Sequence, residues 1–167
     1  ATLATAMAVA KLLKKTAVIT ADTPGFVVNR LLAKLLGEAM HAVDTGTDFE
    51  VVENALDSFG MPMGPFELLD LVGLKVGAHV LDTHHAAFPD RFFRSDNLHA
   101  LAEAGVLLTR DKKGNITGFD PKAKAIVAGG KSPLTADELR LQVENGLADE
   151  IARMLSDKVV GHPEDID

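Results

Sequence analysis

Between Val28 and Val43 the chain reads VNRLLAKLLGEAMHAV, with apolar side chains at Val28, Leu31, Leu32, Leu35, Leu36, Ala39, Met40 and Val43. That recurrence matches one face of a helix turning every 3.6 residues, and it is the strongest helix signal in the sequence. Thr23 can cap this helix, with Pro24 at its first position, where a missing N–H costs nothing, and Gly46 can stop it. Asp48 then caps a helix that carries Phe49, Val52, Ala55, Leu56 and Phe59 inward and ends at Gly60. The two prolines of MPMGP forbid a helix through residues 61–65. Pro65 opens a third, GPFELLDLVGLKVGAHVLDTHH, apolar almost all round and therefore expected at the buried centre of a bundle.

Further along, a helix is expected over about 97–107 and a polar, glycine-bearing loop over RDKKGNITGFD. Residues 128–134 read as a linker, and a last helix over about 135–159 has Thr135 and Glu138 in capping-box spacing. At the start, Leu3, Met7, Ala10 and Lys14 fit an amphipathic helix whose cations fall in its last turn. TAVIT, residues 16–20, is β-branched and suits a strand, but it has no evident partner and is expected to belong to a sheet that is mostly missing. Four to six helices against one orphan strand define the expected fold class, an all-α helical bundle. The chain opens without Met and closes on GHPEDID, which reads as the entry to another helix. A piece of a longer protein is expected.

Composition narrows function mainly by exclusion. The 167 residues are 47% apolar and 25% charged, enough for one buried core and unlike a disordered chain. Cys is absent, which removes disulfides, thiolate metal sites and a cysteine nucleophile, and nothing points to secretion. A net charge of −7 argues against a nucleic-acid or anionic-membrane surface. With no Trp or Tyr, only Phe is left for base stacking. Lys11, Lys14 and Lys15 follow the first apolar run, whereas a signal peptide has its cations ahead of it. No stretch reaches the roughly 20 apolar residues of a membrane span.

Few residues stand out as chemistry. His84 and His85 are adjacent and cannot both face one site from a regular helix; the six histidines read as surface or core residues, and no metal is expected. Gly73 and Gly77 lie one turn apart and most simply let another helix approach. Glu67 and Asp70, three apart, read as solvated or helix-start acids. Asn29 resists a bland reading. It sits among apolar neighbours near a helix start, and its carboxamide can serve equally as a structural amide bonded to a nearby loop or as a ligand contact. There is no G-x-G-x-x-G, no G-x-x-x-x-G-K-[ST] and no G-x-S-x-G, and AGGKS lacks phosphate-loop spacing.

TPGFVVNRLL (23–32) and GMPMGPFELLDLVGLKVG (60–77), in this order and spacing, resemble the C-terminal helical domain of NAD-dependent 3-hydroxyacyl-CoA dehydrogenases. DKKGNITGF resembles that family's K-T-G-x-G-F-Y segment, with Gly114, Asn115 and Ile116 inserted around the motif and Asp120 in place of the usual Tyr. In detail the chain is similar to multifunctional β-oxidation proteins, which fuse the dehydrogenase to an enoyl-CoA hydratase and carry the helical domain twice. The resemblance implies four parts: residues 1–20 as the tail of a missing dinucleotide-binding domain, 21–127 as a helical substrate and dimerisation domain, 128–134 as a linker, and 135–167 as the start of a second copy. Aligning Glu150 with Glu38 matches the helix that contains GLADEIARML to the one that contains LAKLLGEAMH, setting residues 146–155 against 34–43.

The same resemblance implies that NAD is bound mainly by the missing domain, which also holds the catalytic His–Glu pair, so that no catalytic residue lies in this chain. It makes Asn29 a substrate-contacting residue, places Met61, Met63 and Phe66 along an acyl pocket, and puts Lys113 roughly where family members have a lysine near the cofactor. The expected function is the substrate side of a cytoplasmic enzyme oxidising (3S)-3-hydroxyacyl-CoA to 3-oxoacyl-CoA, inactive as this piece alone. Its expected partners are the acyl-CoA, the rest of its own polypeptide and a second copy in a homodimer. The rival reading is a structural module for dimerisation and interdomain packing with no ligand contact.

Overall fold

Helix α2 (Val28–Asp44) is the axis of the molecule because it is buried on more than one side: Ala33, Ala39 and Ala42 are fully covered, with Leu35, Leu36, Gly37, Met40 and Val43 beside them. Small residues at those positions let four other helices reach its backbone closely. The computed structural model describes residues 2–166. In chain order α1 (Thr2–Leu12) is followed by α2, α3 (Phe49–Ala55), α4 (Pro65–Val72), α5 (Leu74–Ala87) and α6 (Asp96–Ala104). A hairpin of β1 (Leu108–Arg110) and β2 (Ile116–Phe119), then α7 (Pro121–Val127) and α8 (Ala136–Ser156), complete it. The protein is an all-α bundle carrying one small antiparallel ribbon. No helix among the described residues is long and apolar enough to cross a membrane.

Several starts and stops differ from the sequence reading. Helix α2 begins at Val28, not at Pro24, because Gly25 (φ 74°) and Phe26 (φ 48°) turn through the left-handed region, which a helix cannot contain. A Cβ on Gly25 would lie 2.2 Å from Nε2 of His84, so only glycine fits that turn. The expected third helix is two, broken at Gly73 (φ 93°, ψ 131°). It is also not the buried centre: Leu71 is 69% exposed and Val76 55%. Gly77 does admit a neighbour, since its missing Cβ leaves room for Cδ1 of Leu69.

RDKKGNITGFD is a hairpin, not an open loop. Leu108 pairs with Phe119, Thr109 with Gly118 and Arg110 with Ile116, and Asp111 closes the turn by accepting the N–H groups of Lys113 and Asn115 at 2.8 and 2.9 Å. Ladder hydrogen bonds and the turn outweigh polarity here. Residues 16–20 form no strand, since no neighbouring strand offers them a ladder. Helix α1 exists but buries none of its residues.

The linker is pinned to the end of α2. Ser132 N–H donates to Thr45 O at 2.8 Å, Leu134 N–H donates to Thr47 Oγ1 at 2.8 Å, and Gly130 packs on the Thr45 backbone. Helix α8 then starts with its capping box in place, Thr135 Oγ1 accepting from Glu138 N–H and the Glu138 carboxylate accepting from Thr135 N–H. It runs antiparallel along α2. Arg30 meets Glu150 at one end of the crossing, Gln142 donates to Glu38 at the other (2.8 Å), and Gly146 makes room for the Lys34 stem between them.

Candidate functional site

The start of α2 carries Asn29 outward and Arg30 inward, since successive helical residues diverge by about 100°. The Asn29 side chain is exposed. Its carboxamide makes no hydrogen bond with any described residue, so the structural amide bonded to a loop is not what the structure holds. Asn29 lines an open apolar groove of about 210 Å³ between α2, α4 and α5, with Leu32, Leu36, Leu68, Val72, Val76 and Val80. It is the only polar side chain among the lining residues. An amide beside an otherwise apolar trough can donate to a carbonyl or hydroxyl oxygen, or accept from the latter, while the trough takes the hydrocarbon attached to it.

The other expected site residues do not gather there. Met61 lines a second apolar groove of about 210 Å³ with Leu31, Leu32, Leu35, Phe59, Leu147 and Ile151, which shares only Leu32 with the first. Met63 is half-buried and lines neither groove. Phe66 is a core residue: 1% exposed, its ring lies edge-on to Phe49 at 4.9 Å and to Phe119 at 5.7 Å. No ligand reaches it in this arrangement. Lys113 is exposed at the tip of the hairpin turn, away from both grooves.

The turn before α4 is positioned by a residue the sequence reading passed over. Glu53 on α3 fills the space beside Gly64 and accepts the N–H groups of Phe66 at 2.9 Å and Glu67 at 3.1 Å. Burial pushes its carboxyl above the ordinary range, against the pull of those two hydrogen bonds. Asp70 is engaged too, accepting from Arg110 at 2.7 Å, so Glu67 and Asp70 do not form a paired-acid site.

Behind Asn29 lies a buried charged cluster. Arg30 and Glu150 both have side chains 1% exposed, with Nε donating to Oε1 at 2.5 Å. Arg91 Nη1 reaches both Glu150 oxygens at 3.3 Å, and the Phe88 ring lies under both guanidinium groups, at 4.3 Å from Arg30 and 4.4 Å from Arg91. His84 is also buried, its Nδ1 donating to Val80 O at 2.7 Å. The signal for Arg30 was present in the sequence: it shares a helical face with Ala33, Gly37 and Met40, which are buried.

No three His, Asp or Glu residues among those described are grouped to hold a metal ion. The dinucleotide fares no better. The only sheet among the described residues is the two-stranded antiparallel hairpin, with no parallel strand, glycine loop and helix to cradle a pyrophosphate. The residues present do not fit NAD.

Comparison with known proteins gives two findings. A family model described as 3-hydroxyacyl-CoA dehydrogenase, C-terminal domain, matches residues 25–117. The fatty acid oxidation complex subunit alpha of Acinetobacter baumannii (strain SDF) is 32% identical over 182 aligned residues, covering 99% of this chain and 25% of that protein. The chain thus spans about a quarter of the length of that relative.

Proposed function

The chain belongs to the 3-hydroxyacyl-CoA dehydrogenase family through its C-terminal domain, and on that premise we propose that it is the substrate side of a longer, cytoplasmic β-oxidation enzyme that oxidises (3S)-3-hydroxyacyl-CoA to 3-oxoacyl-CoA. Asn29 holds the oxygen on C3 by a hydrogen bond, and the groove between α2, α4 and α5 takes the acyl chain. The observation that supports this reading is the free carboxamide of Asn29 on an otherwise apolar groove. Fixing one oxygen by a preset donor while burying hydrocarbon, at roughly 0.8 kcal/mol per CH₂, sets the reacting carbon in place without adding charge.

In this proposal NAD and the catalytic acid–base groups lie on a dinucleotide-binding domain outside the chain, and an enoyl-CoA hydratase domain is a further part of the same polypeptide. Helix α1 supports the first point: it covers none of its own apolar residues, with Leu3 56% and Leu12 82% exposed, as befits the margin of another folded unit. Residues 135–167 are proposed as the start of a second helical copy. Support comes from the α2–α8 crossing. Aligning Glu150 with Glu38 places Gln142 on Arg30 and Gly146 on Lys34, so the two contacts Arg30–Glu150 and Glu38–Gln142 become one contact seen twice.

The test is Asn29→Ala in the full-length polypeptide. kcat/KM for 3-hydroxyacyl-CoA is expected to fall about 10- to 100-fold, with the KM for NAD nearly unchanged. An unaltered kcat/KM removes Asn29 from the reaction. A second reading has its own observation: Phe26, Val28, Leu71, Val72 and Val76, all at least 45% exposed, offer an apolar surface that a partner domain or second subunit would cover. On that reading Asn29→Ala leaves the kinetics intact and weakens assembly.

A further inference from the structure

We infer that Glu150, on α8, is a positioning residue for Asn29, so that the groove on α2 depends on a carboxylate from the far end of the chain. This rests on the proposed role of Asn29. Its own side chain bonds no described residue, so its position follows from the backbone where α2 starts. That backbone comes out of a turn with two successive left-handed residues, Gly25 and Phe26, the second of which pays a steric penalty for its Cβ. A turn of this kind persists only when its surroundings hold it.

Arg30, the next residue, does the holding. Its N–H donates to Gly25 O at 3.2 Å, its Nη1 to Thr23 Oγ1 at 3.5 Å, and its Nε to Glu150. One guanidinium thereby ties the turn to both its own helix and α8. Among the described residues the carboxylate is the one counter-charge on Arg30, and none of them partners its buried Nη2. With Glu150 neutralised, Arg30 keeps only the neutral contacts to Thr23 and the Phe88 ring and is left a deeply buried charge with no counter-charge. Arg91 fixes the carboxylate from the other side.

The asymmetry of the crossing sharpens the point. Under the alignment of Glu150 with Glu38, Leu141 occupies the place of Asn29 and Gln142 that of Arg30. Leu141 is 57% exposed and apolar. Helix α8 therefore has no amide at the place of Asn29 and no guanidinium at the place of Arg30, while it has the carboxylate that serves the first site.

The test uses the full-length polypeptide and a double-mutant cycle. Glu150→Gln, close to isosteric, is expected to lower kcat for 3-hydroxyacyl-CoA about tenfold, less than a displacement of a full ångström can cost, with the KM for NAD unmoved. In an Asn29→Ala background the same substitution is expected to change kcat by less than about twofold, because its effect travels through the missing amide. Glu38→Gln, at the equivalent place on the same crossing, serves as the packing control and is expected to leave kcat alone. Equal losses from Glu150→Gln in both backgrounds, equal losses from Glu38→Gln, or no loss at all would overturn the inference while leaving Asn29 in its role. An inert Asn29→Ala removes the underlying reading, and the inference with it. Should Glu150→Gln not fold, Glu150→Asp carries the same cycle, drawing the charge back by one methylene.

Discussion

The carboxylate of Glu53 accepts the N–H of Phe66 at 2.9 Å, so a side chain from α3 caps the first turn of α4. Gly64, immediately before that turn, has no Cβ where the Glu53 carboxylate lies. The turn MPMGP is thus shaped by Glu53, thirteen residues before Phe66, as much as by its prolines.

Glu53→Ala is expected to destabilise the fold by about 1–2 kcal/mol through two orphaned N–H groups at a helix start, read as a shift of the denaturant midpoint. The pH dependence has a definite sign. Burial raises the folded-state value of Glu53 above its ordinary 4.5, so its contribution to stability is full below 4.5 and is lost as the pH rises through the raised value. Glu53→Gln removes that slope. A slope of opposite sign in wild type would show that the two N–H donors outweigh burial.

Gly25→Ala combines a left-handed φ with a Cβ placed 2.2 Å from His84 Nε2 and 2.8 Å from Arg30 N. The expected loss is about 1–3 kcal/mol in unfolding free energy. Because the collision is with the backbone that presents Asn29, turnover of 3-hydroxyacyl-CoA is expected to fall as well, measured on protein that is still folded. Gly60→Ala makes a fitting comparison, since its Cβ would meet nothing within 4 Å and its φ of 70° carries the strain without the crowding.

Val76→Asp sets a charge on the groove beside Asn29. If the groove takes the acyl chain, the KM for long-chain substrates is expected to rise more than that for short-chain ones, because only the long chains bury methylenes past that point. A uniform change across chain lengths would place the acyl chain elsewhere.

How far the sequence spoke depends on the range over which each contact acts. Helix α2 and the capping box of Thr135 and Glu138 were legible because their causes lie within a turn or two of chain. Local sequence puts the start of α2 four residues early because what requires a glycine at Gly25 is His84, which is remote in sequence. The break at Gly73 is not legible because a glycine inside an apolar run looks the same whether it admits a neighbour, as Gly77 does, or ends a helix. Asn29 stood out as a polar residue in an apolar stretch, and it does line a groove. Phe66 looked like a pocket residue through its place in MPMGPF but is sealed by Phe49 and Phe119. Glu150 had no local mark at all: its partner lies 120 positions away.

Arg30 and Glu150 touch where almost no solvent reaches. Dissolved ions screen charges that share their water, with a reach of about 8 Å at physiological ionic strength, and they have little purchase on a pair closed off in this way. The exposed pair of Arg153 and Asp149, which brackets Glu150 on the same helix, is the one expected to slacken as ions are added. Where Arg30 meets Glu150, the join between α2 and α8 is expected to keep its setting across dilute and briny conditions alike.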